Sequence, residues 1–115
     1  LWYRRQRQMC IRDRLNMLGP LLVKNKLFPD QANITFVEVL KKSKVKVLFW
    51  ERGGGHTLAC GSGTCATAYV LHHNDFVFSK IKVVTERSVL KTEIKDKMVF
   101  LQGPAELVYQ SSINI

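Results

Sequence analysis

Apolar and polar residues alternate along Asn33–Leu40 and again along Val45–Trp50, where Val45, Val47 and Phe49 fall on one face. This period of two predicts two half-buried strands, and the polar stretch Lys41–Lys44 between them predicts a hairpin. Past three consecutive glycines, Gly53–Gly55, the pattern changes. Ser62–His72 carries Cys65, Ala66, Ala68, Tyr69 and Leu71, and small residues recur around it, as expected of a helix closely surrounded by other elements. Asn74 is placed to end that helix as a left-handed cap. Lys80–Thr85, Val89–Ile94 and Met98–Gln102 then predict three strands joined by short turns at Arg87-Ser88 and Lys95–Lys97, an antiparallel meander. Gly103-Pro104 breaks the chain before a last expected strand, Ala105–Gln110, and Phe28-Pro29-Asp30 is an earlier turn signal. Strands, one helix and strands again give an α+β fold, a mostly antiparallel sheet wrapped around one central helix.

Composition narrows this to a single globular domain. The chain has 115 residues, 46 % apolar and 23 % charged. No apolar run reaches membrane-spanning length, so no membrane partner is expected. Leu15–Val23 is interrupted by Gly19-Pro20 and lacks a convincing cleavage site, which argues against a signal peptide. Three cysteines make a poor disulfide framework and favour a reducing cytoplasm. The net charge of +9 is partly local: Arg4, Arg5, Arg7, Arg12 and Arg14 crowd the first fourteen positions against one acid, Asp13. Leu1–Arg14 does not begin with Met, shows no periodicity, and reads as a foreign-looking, disordered basic leader (1–14) ahead of the domain proper (15–115). Lys44, Lys46, Lys80, Lys82 and Lys91 lie along strands and read as solvated faces and edge protection. A nucleic-acid surface wants such charge beside stacking aromatics, and the linear order does not put them together, so no nucleic-acid partner is expected.

The chemistry gathers in Glu51-Arg52-Gly53-Gly54-Gly55-His56-Thr57-Leu58-Ala59-Cys60-Gly61-Ser62-Gly63. An acid and a base close a strand, glycines turn the chain, and a cysteine arrives where the next helix begins. Helix N-termini carry unpaired amides and a partial positive charge, so anions bind there and thiols ionise more readily there. A cysteine delivered to that spot by a glycine loop reads as a reagent rather than packing. Cys65, one turn further on, reads as packing. His56 suggests a cysteine–histidine pair but reads as a bystander. A zinc cluster of Cys60, Cys65, His72 and His73 is disfavoured by the loose Cys-x4-Cys spacing and by histidines that end a helix.

The ordered set Glu-Arg-Gly-x-Gly-x-Thr-x-Ala-Cys-Gly-Ser-Gly resembles the C-terminal signature of the diaminopimelate epimerase family, cofactor-independent isomerases of lysine and peptidoglycan-precursor synthesis. Gly19-Pro20, Leu27-Phe28-Pro29 leading to Asn33, and Gly103-Pro104-Ala105-Glu106 support the resemblance, which covers about Leu18 to Leu107. It implies that Cys60 is one of two cysteines flanking the substrate α-carbon, one abstracting a proton while the other donates from the opposite face. It further implies that Gly61 and Ser62 present backbone amides to the α-carboxylate, that Glu51 and Arg52 contact the amino-acid end of the substrate with Glu51 on its ammonium, and that Asn33 is a polar substrate contact. No cofactor and no metal are implied.

Each of these positions has a plainer reading. Glu51-Arg52 can be a surface ion pair, Asn33 can simply start its strand after a turn, and the glycines can serve only to permit positive φ. The family is built from two similar lobes, each bringing one cysteine to the cleft between them, and this chain holds part of the second lobe. Cys10 has no glycine loop or following helix and is no substitute for the partner cysteine. The implied partners are therefore diaminopimelate and the missing N-terminal lobe, with a homodimer open to the full-length protein, and the fragment alone is expected to be inactive. Two other readings stay open: a proline-racemase-like enzyme of the same fold, and a non-catalytic anion-binding domain. The loop lacks the Gly-Lys-(Ser/Thr) ending of a nucleotide P-loop, and anion binding gives Cys60 no purpose.

Overall fold

The structure, a computed structural model, describes residues 2–115, with side chains from Asp13 onward. In chain order the elements are α1 (Trp2–Val23), β1 (Ile34–Lys41), β2 (Lys44–Glu51), β3 (Gly55–Thr57), α2 (Gly61–His73), β4 (Lys80–Val84), β5 (Val89–Lys95) and β6 (Met98–Gln102). The five expected strands from Asn33 to Gln102 and the expected helix are found to within about a residue at each end. The leader Leu1–Arg14, expected to be disordered, instead continues α1 back to Trp2; its side chains up to residue 12 lie outside the described residues.

All six strands form one sheet in the order β1-β2-β4-β5-β6, with β3 also paired to β2. Four pairings are antiparallel; β2 and β4 run parallel because β3 and α2 intervene and return the chain to its starting end. One edge of β2 is therefore shared. Lys44–Lys46 pair with β4, and Phe49–Glu51 pair with β3 as the glycine loop folds back. Gly53 and Gly55 make that reversal at φ +74° and +70°, a region that residues with a Cβ enter at a cost.

The strand alternation sorts residues between two helices. Val45, Val47 and Phe49 join Ala68 of α2 and Val77, Ile81 and Val83 in the core. Leu48 and Trp50 point the other way, toward α1. There Gly19 is pressed onto the Trp50 indole so closely that a Cβ would lie 2.4 Å from the ring. Leu15, Gly19 and Val23 recur every four residues and are all buried, an i, i+4, i+8 stripe that the intervening Pro20 disguises in the sequence. The described part of α1 thus belongs to the fold, although the pattern reading assigned no element to Leu15–Val23.

Three further expectations are corrected. Ala105–Gln110 is not a strand: residues 103–115 carry no regular structure, and Leu107, Val108 and Tyr109 are 79–87 % exposed. An extended segment needs a neighbouring strand for its amides, and Gly103-Pro104 leads this one away from β6. Asn74 does not take the left-handed conformation (φ −98°); Asp75 does (φ 61°), while the Asn74 side chain donates to the Val70 carbonyl at 2.8 Å. The Asp75 amide then reaches His72 and the Phe76 amide reaches Leu71, closing the helix end. Finally, Lys44, Lys46, Lys80, Lys82 and Lys91 sit on β2, β4 and β5, which are interior strands, so they protect no edge. No helix among the described residues is long and apolar enough to cross a membrane.

Candidate active site

Cys60 is the N-cap of α2. Its backbone is extended (φ −150°, ψ 113°), and its sulfur accepts the Gly63 amide at 3.3 Å, the role a serine or aspartate oxygen usually plays. The Cys60 carbonyl is held twice, by the Thr64 amide at 3.0 Å and by the fully buried Thr64 hydroxyl at 2.7 Å. The sulfur also lies 3.4 Å from the Ser62 hydroxyl. Gly61 and Ser62 are the exposed first residues of the helix, where amides have no acceptor within the helix. Cys60 is half-buried, packed on the edge of the core.

Gly63 explains how closely the helix mouth can approach the sheet. A Cβ on it would stand 2.9 Å from the Phe49 ring and 3.2 Å from the Cys60 sulfur. The glycine at this position therefore serves close packing, with the thiol seated directly over the strand that carries Glu51.

Glu51, Arg52 and Asn33 form a second group around the β2–β3 turn. Glu51 Oε1 accepts the Thr57 hydroxyl at 3.1 Å across the hairpin. Asn33 Oδ1 accepts the Arg52 amide at 2.9 Å, and the Arg52 guanidinium donates to the Asp30 carbonyl at 3.1 Å. Glu51 and Arg52 are thus held by different partners; among the described residues they form no ion pair with each other. Asn33 does more than begin a strand, because it ties the residue after Glu51 to the loop before β1. The structure joins Asn33 to Arg52 directly and places Gly61 and Ser62 on Cys60. No hydrogen bond among the described residues links the two groups, which are connected through Thr57-Leu58-Ala59.

The neighbours refine the picture. His56 pairs with Glu86 of the β4–β5 turn, through Nε2 and Oε2, and is not engaged with Cys60. Cys65 is pushed up from the ordinary thiol range, first by burial and then by the neighbouring Cys60, which keeps it protonated. His72 faces the Val77 carbonyl and His73 stacks on Tyr69, both at the far end of α2 from Cys60. Thr57 and Thr64 are the residues that reading the sequence did not single out. Thr57 stood in the motif without a role, and no local signal marks Thr64 as the lock on the Cys60 carbonyl.

A profile of the family described as diaminopimelate epimerase matches residues 8–108, a span that begins inside the basic N-terminal segment. The diaminopimelate epimerase of Methanococcus aeolicus is 33 % identical over 103 residues, 90 % of this chain and 35 % of that protein. The diaminopimelate epimerase of Methanococcus maripaludis strain C5 is 38 % identical over 103 residues, 88 % of this chain and 37 % of that protein. That of Xylella fastidiosa strain M23 is 39 % identical over 94 residues, 80 % of this chain and 33 % of that protein. The chain thus spans about a third of the length of the curated relatives it matches. Among solved structures, a Bacillus anthracis phenazine biosynthesis protein of the PhzF family shares the fold. Its TM-score is 0.53 at 14 % identity, over 78 % of this chain and 29 % of that one.

Proposed function

Because the chain belongs to the diaminopimelate epimerase family, we propose that it carries one half of a two-cysteine site that interconverts LL- and meso-diaminopimelate without a cofactor. The observation that carries this reading is the Cys60 thiol at the mouth of α2, beside the free amides of Gly61 and Ser62. The α-hydrogen of an amino acid is a weak acid because its loss adds charge to a group that already bears a carboxylate. Seating that carboxylate on the first amides of α2 stabilises the developing charge. Glu51, oriented by Thr57, takes the substrate ammonium and so fixes which face of the α-carbon meets the sulfur. Arg52 and Asn33 hold the amino-acid end of the substrate. Cys60 takes or returns the proton on its face, and a cysteine from the remainder of the protein works on the opposite face.

In this reading the 115 residues need the other lobe to complete the cleft and do not epimerise alone. The complete protein works on a small soluble amino acid in the cytoplasm, in lysine and peptidoglycan-precursor synthesis. Alkylation separates a reagent from a packed thiol. At neutral pH, peptide-resolved mass spectrometry with iodoacetamide is expected to find Cys60 modified at least about ten-fold faster than Cys65, whose labelling rises only in alkaline solution, in line with its raised range. Equal rates, or an inert Cys60, would remove the basis for the proposal.

A further inference from the structure

The sheet face opposite α2 carries a feature unconnected with Cys60. Register pairs Lys44 of β2 with Lys82 of β4, and Lys82 with Lys91 of β5. Three ammonium groups therefore stand in one row across three adjacent interior strands, which lie about 4.8 Å apart. Lys82 and Lys91 are exposed, Lys44 is half-buried, and among the described residues none of the three has an ion-pair partner. The other charged residues nearby are partly matched. Lys46 is registered with Glu38, Lys80 with Glu93, and Lys95 bonds Glu93 at 3.2 Å. Like charges directly opposite each other destabilise a sheet. An unneutralised row of three is thus a standing cost that a bound polyanion would lift.

The row continues onto β6, where Lys91 is registered with Gln102. Two residues along the same face of β6 is Phe100, 51 % exposed and registered opposite Glu93, whose carboxylate is taken up by Lys95. α1 packs over β1, β2 and β3, so the β4–β6 part of this face is left open. Linear order hides this arrangement, since Lys44 and Phe100 are 56 positions apart and only strand pairing brings charge and aromatic together. We propose that this face binds single-stranded nucleic acid, with phosphates along Lys44, Lys82 and Lys91 and a base against Phe100. An acidic peptide would satisfy the lysines but would leave the ring without a role, whereas every base offers a face to stack on.

Fluorescence anisotropy of a labelled twelve-nucleotide single strand tests this with the 115-residue chain. Three phosphate contacts give a slope of log affinity against log salt of roughly −2, at about −0.7 per phosphate. The triple variant Lys44→Gln, Lys82→Gln, Lys91→Gln is expected to lose at least about ten-fold in affinity at 50 mM salt and most of that slope. A control with the same net charge, Lys24→Gln, Lys26→Gln, Lys97→Gln, is expected to stay within about three-fold of the parent. Phe100→Ala is expected to weaken binding at least about five-fold while leaving the slope unchanged. The triple variant relieves like-charge repulsion, so its melting temperature is expected to match or exceed the parent's, which separates lost binding from lost folding. The proposal is overturned by equal losses in the triple variant and its control, by the absence of saturable binding, or by polyglutamate displacing the oligonucleotide at lower concentration than unlabelled single strand does.

Discussion

A thiol that caps a helix is placed by its neighbours. Thr64 grips the Cys60 carbonyl, Gly63 donates to the sulfur, and the missing side chain of Gly63 lets both rest on Phe49. Gly63→Ala separates helix propensity from packing. Alanine favours a helix by up to about 1 kcal/mol over glycine. Here, however, its Cβ would stand 2.9 Å from a ring that is only 2 % exposed and has nowhere to go. Overpacking wins, and the variant is expected to lose about 1–3 kcal/mol in a denaturant melt; unchanged or increased stability would show that Phe49 yields. At this scale the sequence is legible where the residues of the candidate site lie in one contiguous motif. Cys60, Gly61, Ser62, Glu51 and Arg52 were all singled out from one run of thirteen residues. Thr64 was not, because a threonine inside a helix says nothing about the carbonyl four residues back until the chain is folded.

Among the elements, the strands were readable because alternation is local, and the helices less so. α2 announced itself by its small and apolar residues and the glycine loop before it. α1 did not, since its buried stripe includes a glycine and a proline sits inside it. The burial of Gly19 against Trp50 depends on a ring thirty-one residues later. The tail beyond Gly103 shows the converse failure. Leu107-Val108-Tyr109 has strand-like composition, but composition cannot supply the neighbouring edge that makes a strand. The β5–β6 turn gives a quantitative check. Asp96 and Lys97 both have positive φ (50° and 64°) between the paired residues Lys95 and Met98, the mirror-image turn that favours glycine at its second position. Lysine in that region costs about 1–2 kcal/mol, part of which glycine's greater unfolded-state freedom offsets. Lys97→Gly is therefore expected to stabilise the chain by about 1 kcal/mol in thermal melting; a loss of stability would mean that the Lys97 side chain contributes more than its backbone strain costs.

For the molecule as a whole, the sheet is flanked by a helix on each face, yet its cover is uneven. α2 buries Thr64, Thr67 and Ala68 against the strands, while Ala66, Tyr69 and Val70 on its other side are exposed, as are Val37 and Val39 of β1. The fold class followed from the order of elements, but which faces stay bare did not, because burial depends on what packs from outside the pattern. A chain that spans about a third of the length of its relatives, with a half-buried thiol and bare apolar surface around the helix that presents it, fits the reading of one lobe of a two-lobed enzyme. Solvent deuterium incorporation at the α-carbon of LL-diaminopimelate, followed by mass spectrometry, tests that reading most directly. The 115 residues are assayed alone and with the complementary N-terminal lobe of a family member, with and without Cys60→Ser. Exchange and stereoinversion are expected only from the combination that retains Cys60. Turnover by the isolated chain, or undiminished turnover after Cys60→Ser, would contradict a mechanism in which Cys60 is one of two indispensable thiols.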